Sequence, residues 1–419
     1  MTTNITTAEA LRRTLWQHQP LPASPEAWLA RAAEVSAILA TDQVARDRAQ
    51  AVPHAEVQLL KDSGLTLLLG PVAHGGGGQR WETAYHVVRE VAAGDGSIGQ
   101  LLAYHYLWAW AVRLVGTPEQ IDAVEALYTS GNLFFGGAVN PRDGDLTITE
   151  VDGGSKLRYN GRKSFSTGSK VSDLTVLEGV LQGTDKHIFA IVPSKQDGIQ
   201  YHGDWDHLGQ RLTESGGVTI TDVDVDWSGA AGYVDKAYTQ GRPYETLNLP
   251  AIQQLFTEFY LGIARGALRT AAAYTRTQTR PWPYGGDNKA SASEEWYILE
   301  AYGTLQSRLW AAEALADAAG AELARLLHAA DRDSVTAQQR GEAAVRVAAA
   351  KQVAVDVGLE IGNRVFEVTG ARATSNAVGL DIFWRNIRTH SLHDPIAYKR
   401  REVGEYALLG RVPQASWYT

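Results

Sequence analysis

The sequence predicts an α+β fold, with helices at both ends of the chain and an antiparallel β domain between them. Apolar residues recur at helical spacing before residue 133 and after residue 240, whereas short apolar runs separated by turn residues fill the middle. The chain has 419 residues, enough for two or three domains. We therefore expect an N-terminal α-helical domain over residues 1–132, a central β barrel or sandwich over 133–240 and a helical bundle over 241–419.

The helices of the N-terminal domain are predicted from their start and stop signals. Ser24-Pro25 is a start signal, because serine caps free backbone amides and proline suits the first helical turn. A second helix fits His54 to Leu60 and ends at Ser63-Gly64. A third fits Trp81 to Ala93, where alanines and valines share one side.

The segment from Gly94 to Gly99 has the sequence G-D-G-S-I-G, which matches the dinucleotide-binding fingerprint. That fingerprint requires a buried strand before it and a second βα unit after it. Here His86, Arg89 and Glu90 precede it at helical spacing, and the chain after it continues as helix. We therefore interpret these glycines as a turn between two helices.

The central domain contains two local strand signals. Asn160-Gly161 lies between the apolar runs 157–159 and 163–165, and this dipeptide favours the two-residue turn of a β-hairpin. Apolar residues alternate from Val218 to Trp227, but the phase slips by one residue near Asp222. That slip predicts a bulge or a break between two strands.

Small residues dominate the C-terminal domain. Apolar residues from Ile252 to Ile263 mark one helix, and alanine-rich runs from Ala311 to Ala330 and from Ala343 to Val357 mark two more. Small side chains let helices approach closely, which suits a bundle and an oligomer interface, although helix propensity alone also explains them.

The composition excludes several classes of function. Lys and Arg number 39 against 47 Asp and Glu, a net charge of −8 without a basic block, so neither a nucleic-acid partner nor an anionic membrane is expected. The apolar windows are too broken for a membrane-spanning helix, and no secretory signal is visible. With no cysteine there are no disulfides and no thiolate ligands; we expect no metal site and a cytoplasmic location.

The segment from Phe383 to Pro395 is the strongest candidate for a functional site. It holds His390 and His393, two of eleven histidines, three residues apart. Asp394-Pro395 predicts a helix start capped by Asp394, so the histidines lie on the turn that leads into it. Imidazole titrates near neutral pH and suits proton transfer. The alternative is that the pair only satisfies backbone groups at a helix junction.

Ordered matches from about residue 50 to the C-terminus resemble a known family. The matching stretches are Arg89-Glu90-Val91-Ala92-Ala93 with Asp95-Gly96-Ser97, Tyr104-His105, Phe165-x-x-Gly168-x-Lys170-x-Ser172-Asp173-Leu174, Asp204-Trp205-x-x-x-Gly209, Tyr260-Leu261-Gly262-Ile263-Ala264, Tyr274-x-Arg276-x-Gln278 with Arg280-Pro281-Trp282, Val365-Phe366-Glu367-Val368 with Gly370-Ala371-Arg372, and the segment from Phe383 to Pro395. They resemble the flavin-dependent monooxygenase branch of the acyl-CoA dehydrogenase fold, in particular the dibenzothiophene monooxygenases of the desulfurization family.

The resemblance implies a fold, a cofactor and an activity. It implies a C-terminal four-helix bundle, a homotetramer, and reduced FMN in preference to FAD, delivered by a separate NAD(P)H-dependent flavin reductase. The reduced flavin and O2 would form a C4a-(hydro)peroxide that oxygenates a small apolar substrate. The expected substrate is an organosulfur compound, oxidised from sulfide or thiophene to sulfoxide or sulfone; N- or C-hydroxylation is the alternative.

The resemblance also implies roles for individual residues. The expected flavin-binding residues are Phe165, Thr167, Gly168, Gly137, Arg280, Arg372 and His390. The expected catalytic residues are His393 as proton donor, His390 as second choice, and Thr167 near the reactive face. The expected substrate-lining residues are Tyr104, Gln100, Trp205 and Phe135. The arginines would bind the flavin phosphate, one of them across a subunit boundary, or else form surface ion pairs. Tyr104 and Trp205 have an alternative as plain core residues.

Three residues depart from the family pattern at the presumed pocket. Gly137 stands where the family has asparagine, Thr167 where it has serine, and Gln100 where it has histidine. These changes predict poor acceptance of dibenzothiophene itself. Two rival functions remain: an acyl-CoA dehydrogenase with Asp394 as its base, and a non-catalytic flavin-binding or aromatic-ligand-binding protein.

Overall fold

The computed structural model describes residues 15, 16, 19–140, 146–239 and 241–416. The α-helices in this part of the chain are α1 Pro25–Ala40, α2 Gln43–Ala49, α3 His54–Asp62, α4 Trp81–Gly94, α5 Gly96–Val115, α6 Pro118–Gly131, α7 Asn248–Thr277, α8 Trp296–Leu327, α9 Ala337–Thr369, α10 Asp381–His390 and α11 Ile396–Leu409. The strands are β1 Phe135–Ala138, β2 Leu146–Val151, β3 Lys156–Lys163, β4 Leu174–Leu181, β5 His187–Pro193, β6 Ile199–Tyr201, β7 Val218–Asp226, β8 Tyr233–Val234 and β9 Ala237–Tyr238.

The helix signals of the N-terminal domain are confirmed. The Ser24 hydroxyl accepts a hydrogen bond from the amide of Ala27, with proline in the first turn of α1. Helix α3 ends at Ser63, and Gly64 adopts the left-handed conformation with φ +76°. Helix α4 begins at Trp81, as its apolar spacing predicts.

The glycine motif at residues 94–99 is a turn between α4 and α5, as predicted. The Asp95 carboxylate accepts from the amides of Ser97 and Ile98 and caps α5. A Cβ at Gly94 would lie 2.2 Å from the backbone oxygen of Ser36, so this glycine permits close packing of α1. The glycines therefore serve helix packing, and the dinucleotide interpretation is excluded.

The central sheet is mixed, which differs from the wholly antiparallel domain predicted from local patterns. The strand order is β1-β4-β2-β3-β7-β6, with β5 also paired to β4. The β1–β4 and β2–β4 pairs are parallel, and the remaining pairs of this sheet are antiparallel. Parallel neighbours need a crossover connection. Local alternation predicts a strand but not its partner, so the two parallel pairs could not be read from the sequence.

The predicted hairpin at Asn160-Gly161 is wrong, whereas the predicted bulge near Asp222 is confirmed. Asn160 and Gly161 continue β3, which runs unbroken from Lys156 to Lys163. The register against β7 shifts between Tyr159 and Gly161, and Asp222 has φ +50°. The Asn160 side chain donates to Asp222 Oδ1 at 3.1 Å and accepts from its amide at 2.9 Å. The asparagine therefore satisfies polar groups freed by the bulge instead of turning the chain.

Three long helices form the C-terminal bundle, α7 with 30 residues, α8 with 32 and α9 with 33. Helix α4 is joined to this bundle by a buried ion pair, with Arg89 Nε 2.7 Å from Glu258 Oε2 on α7. Arg89 also reaches Asp317 on α8 at 2.6 Å. The N-terminal domain and the bundle therefore share one core. None of the helices described here is long and apolar enough to cross a membrane.

His105 on α5 holds strand β1 in place. Its Nδ1 accepts from the Phe135 amide at 3.1 Å, and its Nε2 donates to the Thr66 carbonyl at 2.8 Å. This arrangement uses both nitrogens of the neutral ring, because an imidazolium has no acceptor. The ring is fully buried and stacks on Phe134 with centroids 4.9 Å apart. Burial lowers the pKa of His105 to about 4.

We predict that His105 makes the protein acid-sensitive. A histidine whose pKa is lower in the folded state is protonated first in the unfolded state, so stability is lost as pH falls from about 6.5 towards 4. The lost free energy of unfolding is roughly 3 kcal/mol, from about 1.4 kcal/mol per pKa unit. Urea unfolding across this pH range should show a smaller loss in His105→Gln than in the wild type.

His54→Gln is the matched control, because the His54 side chain is exposed at the start of α3. It should keep the wild-type pH dependence. An equal acid response in His105→Gln and the wild type would contradict the prediction.

Candidate active site

The candidate site forms where α5, α7 and α10 meet. Helix α10 ends at His390, whose ring is buried. The Tyr260 hydroxyl on α7 donates to His390 Nδ1 at 2.7 Å, which leaves Nε2 to face the Tyr104 hydroxyl on α5 at 3.5 Å. Phe256 packs edge-on against His390 with centroids 4.4 Å apart. His390 thus lies between two tyrosines in an aromatic enclosure.

This enclosure keeps His390 neutral. Burial lowers the pKa of His390 well below its ordinary value, and the neighbouring His393 and Lys351 lower it further. Burial likewise raises the pKa of Tyr260 and of Tyr104, so both hydroxyls stay protonated. The three groups can orient one another by hydrogen bonds. A neutral ring that accepts from Tyr260 is better suited to positioning than to proton supply.

His393 lies outside the enclosure. Its side chain is 45% exposed, and its ring stacks on that of His390 with centroids 5.4 Å apart and planes 18° apart. Its Nδ1 lies 3.3 Å from Asp394 Oδ1, so Nε2 is the nitrogen left for chemistry. The sequence paired the two histidines correctly, but the structure gives them opposite environments.

Asp394 does not cap the following helix, contrary to the sequence prediction. The cap position of α11 is Pro395, without a side-chain cap bond. Asp394 Oδ1 instead lies 2.5 Å from Lys351 Nζ on α9. The ion-pair partner is 43 residues away in the sequence, so the local Asp-Pro signal could not reveal it.

The segment after β3 places Thr167 beside Tyr104. The Thr167 carbonyl accepts from the Gly137 amide at 3.3 Å, and its hydroxyl lies 2.8 Å from the Ser215 hydroxyl. Thr167 also interacts with the Tyr104 hydroxyl by a hydrogen bond, which opposes the rise in the pKa of Tyr104 that burial causes. Gly168 has φ +73°, and its amide donates to the Thr213 carbonyl at 3.0 Å. Thr167 therefore lies between Gly137, Ser215 and Tyr104.

Phe165 stands at the mouth of this segment in a strained conformation. Its φ of +52° is rare for a bulky residue and costs about 1–3 kcal/mol. The ring is 58% exposed and meets Trp205 edge-on, with centroids 6.0 Å apart. Trp205 in turn stacks on His207 at 3.7 Å and donates to the Gln210 carbonyl. An exposed aromatic pair held by strained backbone suits a flat ligand.

Gly137 and Trp108 form one wall near the site. A Cβ at Gly137 would lie 2.5 Å from Trp108 Nε1, so the indole takes the space that a side chain would need. Trp108 also lines a cavity of about 820 Å³ between α5, α6 and the sheet. Further lining residues are Val112, Val115, Phe189, Ile191 and Trp227. The described lining includes neither His390 nor His393, and Trp108 is the lining residue that also lies beside Gly137.

Several buried polar atoms at the site have no hydrogen-bond partner among the residues described. They are Gln100 Oε1, Trp108 Nε1, Ser166 Oγ and Ser169 Oγ. Gln100 and Trp108 lie one helical turn before and after Tyr104 on α5, and Ser166 precedes Thr167. Because an unsatisfied buried polar atom is costly, these atoms indicate where a polar ligand would bind.

Phe135 and the two arginines lie elsewhere. Phe135 is buried against Tyr128 and His105 in the core. Arg280 and Arg372 are exposed beyond the C-terminal ends of α7 and α9. These two ends lie close together, because the Thr279 hydroxyl donates a hydrogen bond to the Thr369 carbonyl. From Tyr260 to the end of α7 is about 25 Å at 1.5 Å per residue. The arginines of one chain are therefore remote from its own histidines.

Sequence reasoning assigned no role to Tyr260, Phe256 or Lys351. Phe256 marks the apolar stripe of α7, and Tyr260 belongs to the stretch of residues 260–264 that matches the family, but neither pattern indicates a contact with His390. Lys351 is one of three charged residues in the alanine-rich run of α9, with Arg346 and Asp356, so the sequence did not distinguish it, and only the structure shows that it is fully buried.

Known proteins share both halves of this chain. Residues 30–131 match the family model of the acyl-CoA dehydrogenase N-terminal domain, and residues 255–397 match that of its C-terminal domain. The chain is 40% identical over 388 residues to a dibenzothiophene monooxygenase of Mycolicibacterium goodii, covering 89% of this chain and 91% of that protein.

Two further relatives name a cofactor. A probable FMNH2-dependent monooxygenase, SfnC, of Pseudomonas putida is 37% identical over 404 residues, covering 96% of this chain and 99% of that protein. The crystal structure of FMN-bound TdsC from Paenibacillus sp. A11-2 is 37% identical and superposes with a TM-score of 0.87 over 94% of this chain and 100% of that chain. The chain belongs to the acyl-CoA dehydrogenase family, in the branch of the FMNH2-dependent, dibenzothiophene-type monooxygenases.

Proposed function

We propose that this protein uses reduced FMN and O2 to transfer one oxygen atom to the sulfur of a small, largely apolar organosulfur compound. The observation that carries the proposal is the stacked pair of histidines, one buried and neutral, the other exposed and beside a carboxylate. Two stacked imidazoles with opposite exposure provide one positioning group and one proton-transfer group at a single site. The family relationship supplies the cofactor class.

The residues around Tyr104 fit a flavin. Gln100, Ser166 and Trp108 offer polar atoms that no described side chain or backbone group satisfies. The exposed ring of Phe165 offers a flat apolar surface beside them. FMN, when bound, supplies the electrons that activate O2.

His393 would hold the proton that the reaction consumes. Oxygenation leaves one oxygen atom of O2 in the product and reduces the other to water, which requires protons. Asp394 lies beside Nδ1, so Nε2 is the nitrogen that can deliver the proton.

His390 and its two tyrosines would exclude water and fix the ring against which His393 stacks. Tyr260 and Tyr104 occupy both nitrogens of His390, and Phe256 and Phe259 pack edge-on against it. A dry environment suits oxygenation, because water would otherwise divert the reaction to hydrogen peroxide.

A dehydrogenase function has weaker support. An α-proton base should have a pKa near the working pH. Burial alone would raise the pKa of Asp394, but His393 and Lys351 hold it well below the ordinary value. A carboxylate so stabilised is a poor base, and its Oδ1 is already bound by both cations.

The substrate proposal depends on Trp108 and the cavity behind it. The cavity is lined mainly by apolar side chains, and burial of apolar surface is worth about 25 cal/mol per Å². We propose that a passage leads from this cavity to Tyr104 between Trp108 and Gly137, because the Trp108 indole fills the space beside Gly137. We expect thioethers or thiophene-sized compounds to be accepted and dibenzothiophene poorly.

The assembly proposal follows from the arginines. FMN is shorter than the distance between Arg280 or Arg372 and the histidines of the same chain, so these arginines would bind the phosphate of a flavin held by another subunit of a homotetramer. A separate NAD(P)H-dependent reductase would deliver the reduced flavin, which places the reaction in the cytoplasm, where NAD(P)H is available.

The first prediction here tests the reaction with FMN, a flavin reductase, NADH and a substrate panel. The wild type should convert thioethers or thiophenes to sulfoxides or sulfones. His393→Phe should bind FMN normally but lose product by about 10²–10⁴-fold, the usual share of a general acid, with NADH consumption diverted to hydrogen peroxide. Product and peroxide are quantified by mass spectrometry and a coupled peroxidase assay.

His390→Phe is the parallel variant and should weaken FMN binding as well as turnover. If only amines, phenols or indole turn over, the sulfur assignment is wrong while the flavin assignment stands. A loss below about threefold in His393→Phe would assign the proton to another donor.

Trp108→Phe tests the passage to the cavity. A phenyl ring in place of the indole should widen the space beside Gly137 and raise kcat/KM for dibenzothiophene relative to a small thioether by about tenfold, as expected for about 1–3 kcal/mol of steric discrimination. Trp110→Phe is the matched control, because Trp110 packs on Trp81 and His328 on another face of α5. An unchanged ratio in Trp108→Phe would contradict the proposed passage.

Arg280→Ala and Arg372→Ala test the shared phosphate site. Each should weaken FMN binding about tenfold or more, since a hydrogen bond to a charged group is worth about 1.5–3 kcal/mol. Arg158→Ala removes an exposed arginine on β3 and should leave affinity unchanged. Light scattering should give about four times the chain mass of 45.5 kDa. A monomer that binds FMN tightly would refute the shared site.

A further inference from the structure

We propose that Lys351 is a positioning residue for His393, acting through Asp394. The lysine would fix the Asp394 carboxylate, and the carboxylate would orient the imidazole so that Nε2 faces the reacting oxygen. This inference rests on the proposed role of His393 in proton transfer, and it adds a residue on α9 that contacts neither histidine directly by hydrogen bonding.

The Lys351 side chain is held by contacts with three other side chains. Its side chain is 1% exposed, and its Nζ donates to Asp394 Oδ1 at 2.5 Å and to the Gln253 side-chain oxygen on α7. The ammonium group also lies 5.2 Å from the Phe256 ring centroid, within cation–π range. Gln253 Nε2 in turn lies 3.5 Å from Asp394 Oδ1. Asp394 is therefore fixed by side chains of α7 and α9.

The same carboxylate oxygen contacts both Lys351 and His393. Asp394 Oδ1 accepts from Lys351 Nζ and lies 3.3 Å from His393 Nδ1. A carboxylate on Nδ1 selects the ring orientation in which Nε2 points away from it. His393 lies on an exposed turn between α10 and α11, and among the described residues Asp394 provides the hydrogen bond to its ring. Packing against His390 and Phe256 sets the plane of the ring, whereas Asp394 selects which nitrogen faces outward, and Lys351 fixes Asp394.

Stability alone is a poor explanation for this lysine. A buried ion pair often contributes less than an apolar replacement, because both charges lose their hydration. Burial lowers the pKa of Lys351 to about 8, opposed by Asp394, which records that cost. The residues one helical turn before and after Lys351 on α9 are alanine and valine, so an apolar residue would fit the helix at this position. A positioning role accounts for a charge retained here.

A double-mutant cycle tests the inference. Lys351→Met and Asp394→Asn should each lower kcat for sulfur oxygenation about tenfold or more and raise the share of hydrogen peroxide, because a misplaced acid loses part of its 10²–10⁴-fold contribution. In a His393→Phe background, each should change kcat by less than about twofold, since coupled residues are not additive. Asp394→Asn keeps the shape of the side chain and covers the case that Lys351→Met does not fold.

The matched control is Lys399→Met. Lys399 is also buried, and the variant loses its ion pair with Glu402, in which the two charged groups are 2.7 Å apart. Neither Lys399 nor Glu402 forms a hydrogen bond with Asp394 in the part of the chain described. It should leave kcat and the peroxide share unchanged in both backgrounds. A general effect of losing a buried lysine would instead appear equally in Lys351→Met and Lys399→Met.

A second readout needs no flavin. Crystal structures of the flavin-free wild type and Lys351→Met should show the His393 ring fixed in the former and rotated away from Asp394 in the latter. An unrotated ring, or effects of Lys351→Met that multiply fully with those of His393→Phe, would overturn the inference. If His393→Phe itself retains full activity, the proposed function of His393 fails first, which distinguishes the two failures.

Discussion

A neutral imidazole buried between two tyrosines is the constraint on which the site depends. His390 accepts from Tyr260 and faces Tyr104, so α5, α7 and α10 must meet at fixed distances. Burial makes a charged ring at this position costly, and the lowered pKa of His390 expresses that cost. The exposed ring of His393 then stacks on a surface that cannot move independently. One buried group thereby orders the exposed one.

Close backbone contacts make this meeting of helices possible. A Cβ at Gly209 would lie 2.2 Å from the Arg385 carbonyl, and one at Gly262 would lie 2.2 Å from that of Arg89. The Gln210 amide donates to Asn386 Oδ1 at 2.7 Å, which joins the β domain to α10. All three domains therefore contribute to the position of the histidine helix. The site is a property of their junction, because no single domain contains it.

The charged residues assigned to the proposed site form two groups that lie far apart in one chain. Asp394 and Lys351 lie beside His393 and are compensated locally. Arg280 and Arg372 lie about 25 Å away along α7, exposed at the far end of the bundle. The residues proposed for proton transfer and those proposed for phosphate binding thus lie in separate regions of one chain. In the proposed tetramer, a single flavin would join these regions from two subunits.

The sequence alone predicted the fold class, the helix starts at Pro25 and Trp81, the irregularity near Asp222 and the pairing of the two histidines at one site. Helix caps and strand alternation involve neighbours in the chain, so local patterns predict them. Tertiary structure decided the parallel strands, the partner of Asp394 and the opposite environments of His390 and His393. Burial and ion pairing depend on residues far apart in the sequence, and local propensity carries no information about such partners.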